Sequence, residues 1–286
     1  MRPNIKSFYH QPTYTWTHVI SDPDTGKAAI IDPVLDYDAA SARTSTESVD
    51  AVLAYVRDNG LDVEYVLETH AHADHITAAK HIQDTLKTPV IIGDGIKKVQ
   101  KTFKPIYNLG AEFDTEGKQF DRLMHEGEVI QIGSLRLKAL HTPGHTNDSM
   151  SYVVGDHVFI GDTLFSPDYG TARCDFPGGD AGTLYDSIQK LYALGDDVVM
   201  HLGHDYPPAH REPQSAFTVA EQKKNNVHVH EGVSRDEFIA MRTARDKTLS
   251  APKLIIPSIQ VNIRAGHFPD PEGNGMVYLK TPLNTF

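Results

Sequence analysis

The sequence predicts an α/β fold in which helices cover the outer faces of β-sheets. Short β-branched runs such as Val63–Leu67 alternate along the chain with amphipathic helical patterns such as Glu47–Asn59. Several of those runs end on residues with metal-ligand side chains. At 286 residues and 40% hydrophobic content the chain can support a large core.

The elements follow in order. Thr15 to Ile20 and Ala28 to Ile31 bracket Pro23-Asp24-Thr25-Gly26, whose turn chemistry predicts a hairpin. Glu47 to Asn59 places Val49, Val52, Leu53 and Val56 on one helical face, with Ser45 or Thr46 as N-cap and Gly60 as C-cap. The strand Val63–Leu67 delivers Thr69 and the run His70-Ala71-His72-Ala73-Asp74-His75. A helix is expected from Asp74 to Leu86, on the pattern Ile76, Ala79, Ile82, Leu86. The apolar run Val129 to Leu140 leads into His141-Thr142-Pro143-Gly144-His145, where Pro and Gly force a tight turn that thrusts His145 outward. Ser151 to Ile160 reads as a hairpin turning at Gly155-Asp156, and it delivers Gly161-Asp162. A helix over Leu184 to Leu194 stops at Gly195, and the strand Asp197 to Met200 leads to His201-Leu202-Gly203-His204-Asp205-Tyr206. Beyond Pro207 polar helices are expected over Val219–Asn225 and Arg235–Arg245. No repeat or low-complexity stretch interrupts the chain.

Composition excludes some functions. The net charge of -11, without a basic stripe, argues against nucleic acid as a partner. No window approaches the roughly 20 apolar residues of a spanning helix, and the N-terminus lacks a signal-peptide core, so a cytoplasmic, membrane-free protein is expected. The one cysteine, Cys174, rules out an intrachain disulfide and reads as a packed small residue, with Arg173 beside it the one argument for an activated thiol.

Ligand-type groups recur at four stations: His70, His72, Asp74 and His75; His145; Asp162; and His204. In an extended segment side chains two apart share a face, so His70 and His72 can converge on one point. If all seven coordinate, two cations would clamp an attacking hydroxide. The residue types alone do not fix how many cations bind.

The four stations, in this order, resemble the metallo-β-lactamase superfamily from about Ile5 to about Gly266. The stretches Thr-His-Ala-His-Ala-Asp-His-Ile-Thr at 69–77, Thr-Pro-Gly-His-Thr at 142–146, Gly-Asp-Thr-Leu at 161–164, Arg173-Cys174-Asp175-Phe176 and His204-Asp205-Tyr206 most resemble persulfide dioxygenases, the ethylmalonic encephalopathy protein-like family, in its bacterial type. They overlap with the related glyoxalase II thioesterases, which typically carry a bulky residue at Ala73 and a Gly-Cys-Gly-Arg stretch where this chain has Ser166 to Phe176. Ile31-Asp32-Pro33-Val34 also resembles the dioxygenase branch.

The resemblance implies an αββα four-layer sandwich with the metal site at the edge between the two sheets. Residues 1–210 would form the catalytic domain, and 211–286 a helical segment and tail completing the same fold and groove. It implies a non-haem iron enzyme of sulfide detoxification, in which His70, His145 and Asp162 hold one Fe(II) per chain. Glutathione persulfide and O2 would become sulfite and glutathione. His72, Asp74, His75 and His204 would be an outer frame or, on the alternative of a binuclear hydroxyacylglutathione hydrolase with two Zn or mixed Fe/Zn, ligands of a second metal. Arg173, Tyr206 and Arg264 are the substrate-binding candidates, a guanidinium being a natural carboxylate clamp and a phenol a partner for amides. Arg173 reads equally as the salt-bridge partner of Asp175. Ala265 stands where human-type members carry Cys. The segments Thr102–Gln119 and Gly266–Phe286 look like additions of some bacterial members, and Asn274–Leu279 could form an edge strand. A homodimer is expected, with sulfur supplied by a separate rhodanese or sulfide:quinone oxidoreductase, since no rhodanese-like module is visible.

Overall fold

The computed structural model describes residues 2–285; Met1 and Phe286, the ends of the expected domains, lie outside the described residues. The chain opens with the antiparallel strands β1 (Asn4–His10), β2 (Thr15–Ser21) and β3 (Lys27–Ile31). There follow β4 (Val34–Asp38), β5 (Arg43–Ser45), α1 (Glu47–Asp58), β6 (Asp62–Leu67), β7 (Ile76–Thr77), α2 (Ala79–Leu86), β8 (Val90–Gly93), α3 (Ile96–Ile106) and β9 (Arg122–Met124). The first sheet runs β1-β2-β3-β6-β8-β9 and is parallel from β3 onward, because helices return the chain over its outer face.

The second sheet is built from β10 (Val129–Ile132), β11 (Leu135–His141), β12 (Met150–Val154), β13 (His157–Phe159), β14 (Val199–His201) and β15 (Ala216–Thr218), adjacent in that order. Helix α4 (Ala181–Tyr192) links β13 to β14, and α5 (Val219–Asn225), α6 (Arg235–Asp246) and α7 (Ile255–Asn262) close the chain. A small sheet β5-β4-β7 sits beside the large ones.

Strand periodicity sorts the core into layers. In β3, Ala29 and Ile31 face the space between the sheets with Leu67, Ile91, Leu137, Tyr152 and Phe159, whereas Ala28 and Ile30 face outward beneath Val49, Val52, Ile82 and Phe103 of α1 to α3. On the far side Val158 and Met200 pack under Leu184, Ile188 and Phe238 of α4 and α6. This is the αββα sandwich. The C-terminal segment contributes to both outer layers, α6 over the second sheet and α7, through Ile255, Ile259 and Val261, over the first.

Several local expectations are corrected. The helix expected from Asp74 begins at Ala79, because Ile76 and Thr77 pair with Leu35 and Val34 of β4 and the Thr77 hydroxyl accepts from Ala79 N. The helix expected from Leu184 starts at Ala181, where the Asp180 carboxylate caps it by accepting from Thr183 N. No strand forms over 274–279. Lys280 instead exchanges hydrogen bonds with the Gln260 side chain. Helices α3 and α7 go beyond the elements expected from sequence; Pro257 is tolerated in α7 because it lies in the first turn.

Candidate metal centre

Four loops, each following a strand, meet at one edge of the sandwich. After β6 the chain cannot continue as a strand, since Thr69 is tied to Asp32: its amide donates to Oδ1 at 2.7 Å and its hydroxyl to Oδ2 at 2.8 Å. The Thr69 proton being committed there, His70 Nδ1 donates to the Thr69 oxygen at 3.0 Å, leaving Nε2 with its lone pair toward the site. After β11, Gly144 takes φ +130 with its Cα packed on the Leu184 backbone, a conformation and a proximity that a side chain would not allow. The turn turns out His145, whose Nδ1 donates to the Arg173 carbonyl at 2.8 Å and fixes the same tautomer. After β13, Asp162 lies against Gly203, where an added Cβ would stand 2.6 Å from Oδ1. After β14 comes His204.

The donors fall into sets. His70, His145 and Asp162 form one, with Asp162 Oδ2 lying 3.8 Å from His70 Nε2 and 3.7 Å from His145 Nε2. Asp74, Asp162 and His204 form a second, with His204 Nε2 at 3.0 Å from Asp74 Oδ2 and 3.5 Å from Asp162 Oδ1. His72 joins neither. It groups with Asp74 and His75, and also with the buried Asp32 and Glu68, which lie 3.1 and 3.3 Å from its Nε2. The run His70–His75 therefore splits among several groups rather than converging on one point.

The donor atoms suit cations. His70 Nε2, both ring nitrogens of His72, His75 Nε2 and Asp162 Oδ1 are buried and have no well-formed hydrogen bond, a costly state that a bound metal would relieve. Burial, with the neighbouring rings of His72 and His145, holds the His70 pKa well below its usual value, so this imidazole is neutral and able to ligate. Burial raises the Asp162 carboxyl. Burial also opposes charge on His204, but Asp162 and Asp74 outweigh it and push the ring to about 9. For His72, too, burial is overcome, by Asp32 and Glu68, and the ring is held well above its usual value.

The site opens into a cavity of about 920 Å³ lined by His145, Asp162, Asp74, His75 and Tyr206. This is the upper part of the range of about 300–1,000 Å³ usual for small-molecule sites. Tyr206 lies parallel to the His204 ring at 5.7 Å and stacks on Tyr169 at 4.6 Å. Arg173 lines the cavity, but its guanidinium is bidentate on Asp175 at 2.6 and 2.7 Å and donates also to the Ser250 carbonyl. Arg264 does not line it. It donates to the Gln260 carbonyl and lies over the Phe113 ring at 4.6 Å, so its expected place in the groove is corrected. Cys174 is buried, which pushes its thiol up out of the reactive range.

Sequence reasoning missed the residues that hold the loops. Asp32 sits at φ 49 directly after β3. Asp148 accepts from Ala71 N at 2.8 Å. Asn262 of α7 donates to the carbonyls of His72 and His75, both at 2.8 Å, and accepts from Thr77 N. Only Asp32 had a local signal, a carboxylate at a strand's end; Asp148 and Asn262 act across the fold.

Comparison with known proteins agrees with the geometry. The chain is 48% identical over 285 residues to the glyoxylase B2 of Dictyostelium discoideum, covering 99% of this chain and 98% of that protein. It is 30% identical over 266 residues to the mitochondrial persulfide dioxygenase ETHE1 of Bos taurus, covering 92% and 88%. The crystal structure of ETHE1 from Myxococcus xanthus superposes with a TM-score of 0.74 at 32% identity, over 92% of this chain and 100% of that one. The family model of the metallo-beta-lactamase superfamily matches residues 10–204, and with this sandwich and this edge site the chain belongs to that superfamily.

Proposed function

We propose that the protein is a persulfide dioxygenase that oxidises glutathione persulfide with O2 and water to sulfite and glutathione. The observation that carries this reading is the set His70, His145 and Asp162: two imidazoles and one carboxylate facing a roomy cavity, with His72 engaged by Asp32 and Glu68 instead. One Fe(II) held there would keep positions open and supply the dioxygen chemistry. The chain's own groups do the rest. Thr69 and the Arg173 carbonyl orient the two imidazoles. Gly203 leaves room for Asp162. Tyr206 and Phe165 wall the site, and small Ala73 leaves room beside Asp74. The likeness to the bovine and Myxococcus proteins supports the same reading. His72, Asp74, His75 and His204 serve as the frame. The protein acts as a homodimer in the cytoplasm and receives its persulfide through a separate sulfur-transferring protein, a rhodanese or sulfide:quinone oxidoreductase. No helix among the described residues is long and apolar enough to cross a membrane.

A second reading has its own observation. Asp74, Asp162 and His204 form a further three-donor set sharing Asp162 with the first, which is the layout of a two-metal site. With the likeness to the Dictyostelium glyoxylase B2, it favours hydrolysis of a hydroxyacylglutathione thioester by two Zn or mixed Fe/Zn. Oxygen uptake with glutathione persulfide, run beside lactoylglutathione hydrolysis on the same metal-counted sample, separates the two. The dioxygenase predicts uptake with sulfite release and no thioester cleavage.

A further inference from the structure

We propose that Asp36 and His10, which belong to none of the metal-donor sets, are positioning residues that fix the tautomer of the His75 and His204 rings through the hydroxyls of Thr13 and Thr15. The inference holds on either reading of the centre, since it concerns the rings that frame it. Thr15 is fully buried, forms a bridge with the backbone of His204, and places its Oγ1 3.3 Å from His204 Nδ1 and 3.5 Å from His75 Nδ1. From there a chain of contacts runs away from the centre. Thr15 Oγ1 lies 2.8 Å from Thr13 Oγ1, which lies 2.6 Å from His10 Nδ1, and His10 Nε2 lies 3.1 Å from Asp36 Oδ1. His10, Thr13 and Asp36 line the cavity.

The far end sets the direction of every bond. The Asp36 carboxylate can only accept. It takes the Ser48 amide on Oδ2 at 2.8 Å, and on Oδ1 both the Ser48 hydroxyl at 2.6 Å and His10. Burial holds the His10 ring below its usual value despite the carboxylate, so the ring is neutral at pH 7 and its one proton sits on Nε2. His10 Nδ1 is then bare and takes the Thr13 proton. The Thr13 oxygen takes the Thr15 proton, and both lone pairs of the Thr15 oxygen are left for the Nδ1–H groups of His75 and His204. Two longer contacts, Thr15 Oγ1 to the Thr13 carbonyl and His75 Nδ1 to Asp74 Oδ1, both 3.4 Å, point the protons the same way. Each ring so held keeps Nε2 for the centre. His75 Nε2 is buried without a hydrogen bond, and His204 Nε2 faces Asp74 Oδ2 at 3.0 Å and Asp162 Oδ1 at 3.5 Å. An amide at position 36 would reverse the chain. The Ser48 N–H would hold the amide oxygen at the place of Oδ2, so the NH2 would face His10 Nε2 and the His10 proton would move to Nδ1, the known effect of such an exchange beside a histidine. Thr13 would then donate to Thr15, whose oxygen would keep one lone pair for two rings.

The test uses the full chain with zinc and no substrate, so its outcome is independent of the oxygen-uptake result. Nitrogen-15 NMR of histidine-labelled, zinc-loaded protein, with His10 assigned from the signal lost in His10→Gln, should show the His10 proton on Nε2 in the wild type and on Nδ1 in Asp36→Asn. Competition with a chromophoric chelator should show zinc held about ten-fold more weakly by Asp36→Asn, the lower end of the scale for groups behind metal ligands. Thr13→Val cuts the chain and leaves Thr15 to the Thr13 carbonyl, so adding Asp36→Asn to it should lower zinc affinity no further. An Asp36 that acted only by supporting the fold would weaken zinc equally in both backgrounds. A wild type with the His10 proton on Nδ1, an Asp36→Asn protein that binds zinc as the wild type does, or an Asp36→Asn effect undiminished by Thr13→Val overturns the inference.

Discussion

The two histidines that share a face of the extended run have separate surroundings. His70 is held by the hydroxyl of Thr69 with its Nε2 facing Asp162, whereas His72 lies between two buried carboxylates. Period-two spacing made their shared face legible but not their division, because Asp32 enters from the end of the neighbouring strand β3 and joins Glu68 at the end of β6. On the dioxygenase reading Asp162→Ala should remove the metal and lower activity more than 100-fold. His72→Ala should keep one metal per chain and lose about 10–100-fold in activity, the usual scale for groups outside the ligand set. Metal analysis of both variants checks this; parallel loss of metal in both would mean that His72 ligates. Away from the metal, His18 is buried, donates to the Leu202 carbonyl, and is lowered to about 4, first by desolvation. Its neutral form is favoured by folding, so stability is intact above the unfolded value near 6.5 and falls as pH drops from there to about 4, where the folded ring protonates as well. The loss approaches about 3 kcal/mol. Urea unfolding at pH 7 and pH 4.5 measures it, and His18→Gln should flatten the dependence.

At the level of elements, strands with their own apolar pattern were legible: β2, β3, β6, the β10–β11 pair and the β12–β13 hairpin fall where the sequence places them. The helix expected at Asp74 failed because tertiary pairing of Ile76 and Thr77 with β4 overrides a helical spacing. Helix α7 lies far in sequence from the histidine loop it anchors, and nothing local marks Asn262 as a structural partner. Asn262→Ala would leave two carbonyls and the Thr77 amide short of partners, at a cost of about 3 kcal/mol. It should weaken metal binding with it, to be read as a lower thermal midpoint and faster metal loss to chelator. A thermal midpoint equal to the wild type would contradict the anchoring. Gly203→Ala should act without unfolding the chain, since the added carbon meets the Asp162 side chain 2.6 Å away and can displace it. Metal affinity about ten-fold lower at unchanged far-UV circular dichroism is the expected result.

Across the whole molecule, the sandwich brings to one edge four loops that lie up to 134 residues apart, from His70 to His204. The sequence made that edge visible because each station follows a strand, and strand ends on one side of two packed sheets lie together. Substrate contacts were less legible. Arginine type and family position pointed to Arg173 and Arg264, but one is bound by Asp175 and the other lies over Phe113. The central claim is that one metal in the His70, His145, Asp162 set carries out oxygen-dependent sulfur chemistry. Its most direct test is protein purified anaerobically, counted for metal, and supplied with glutathione persulfide in an oxygen electrode. The account predicts one iron per chain and oxygen uptake matched by sulfite release. Two metals per chain, with lactoylglutathione cleaved and no persulfide-dependent uptake, would contradict it.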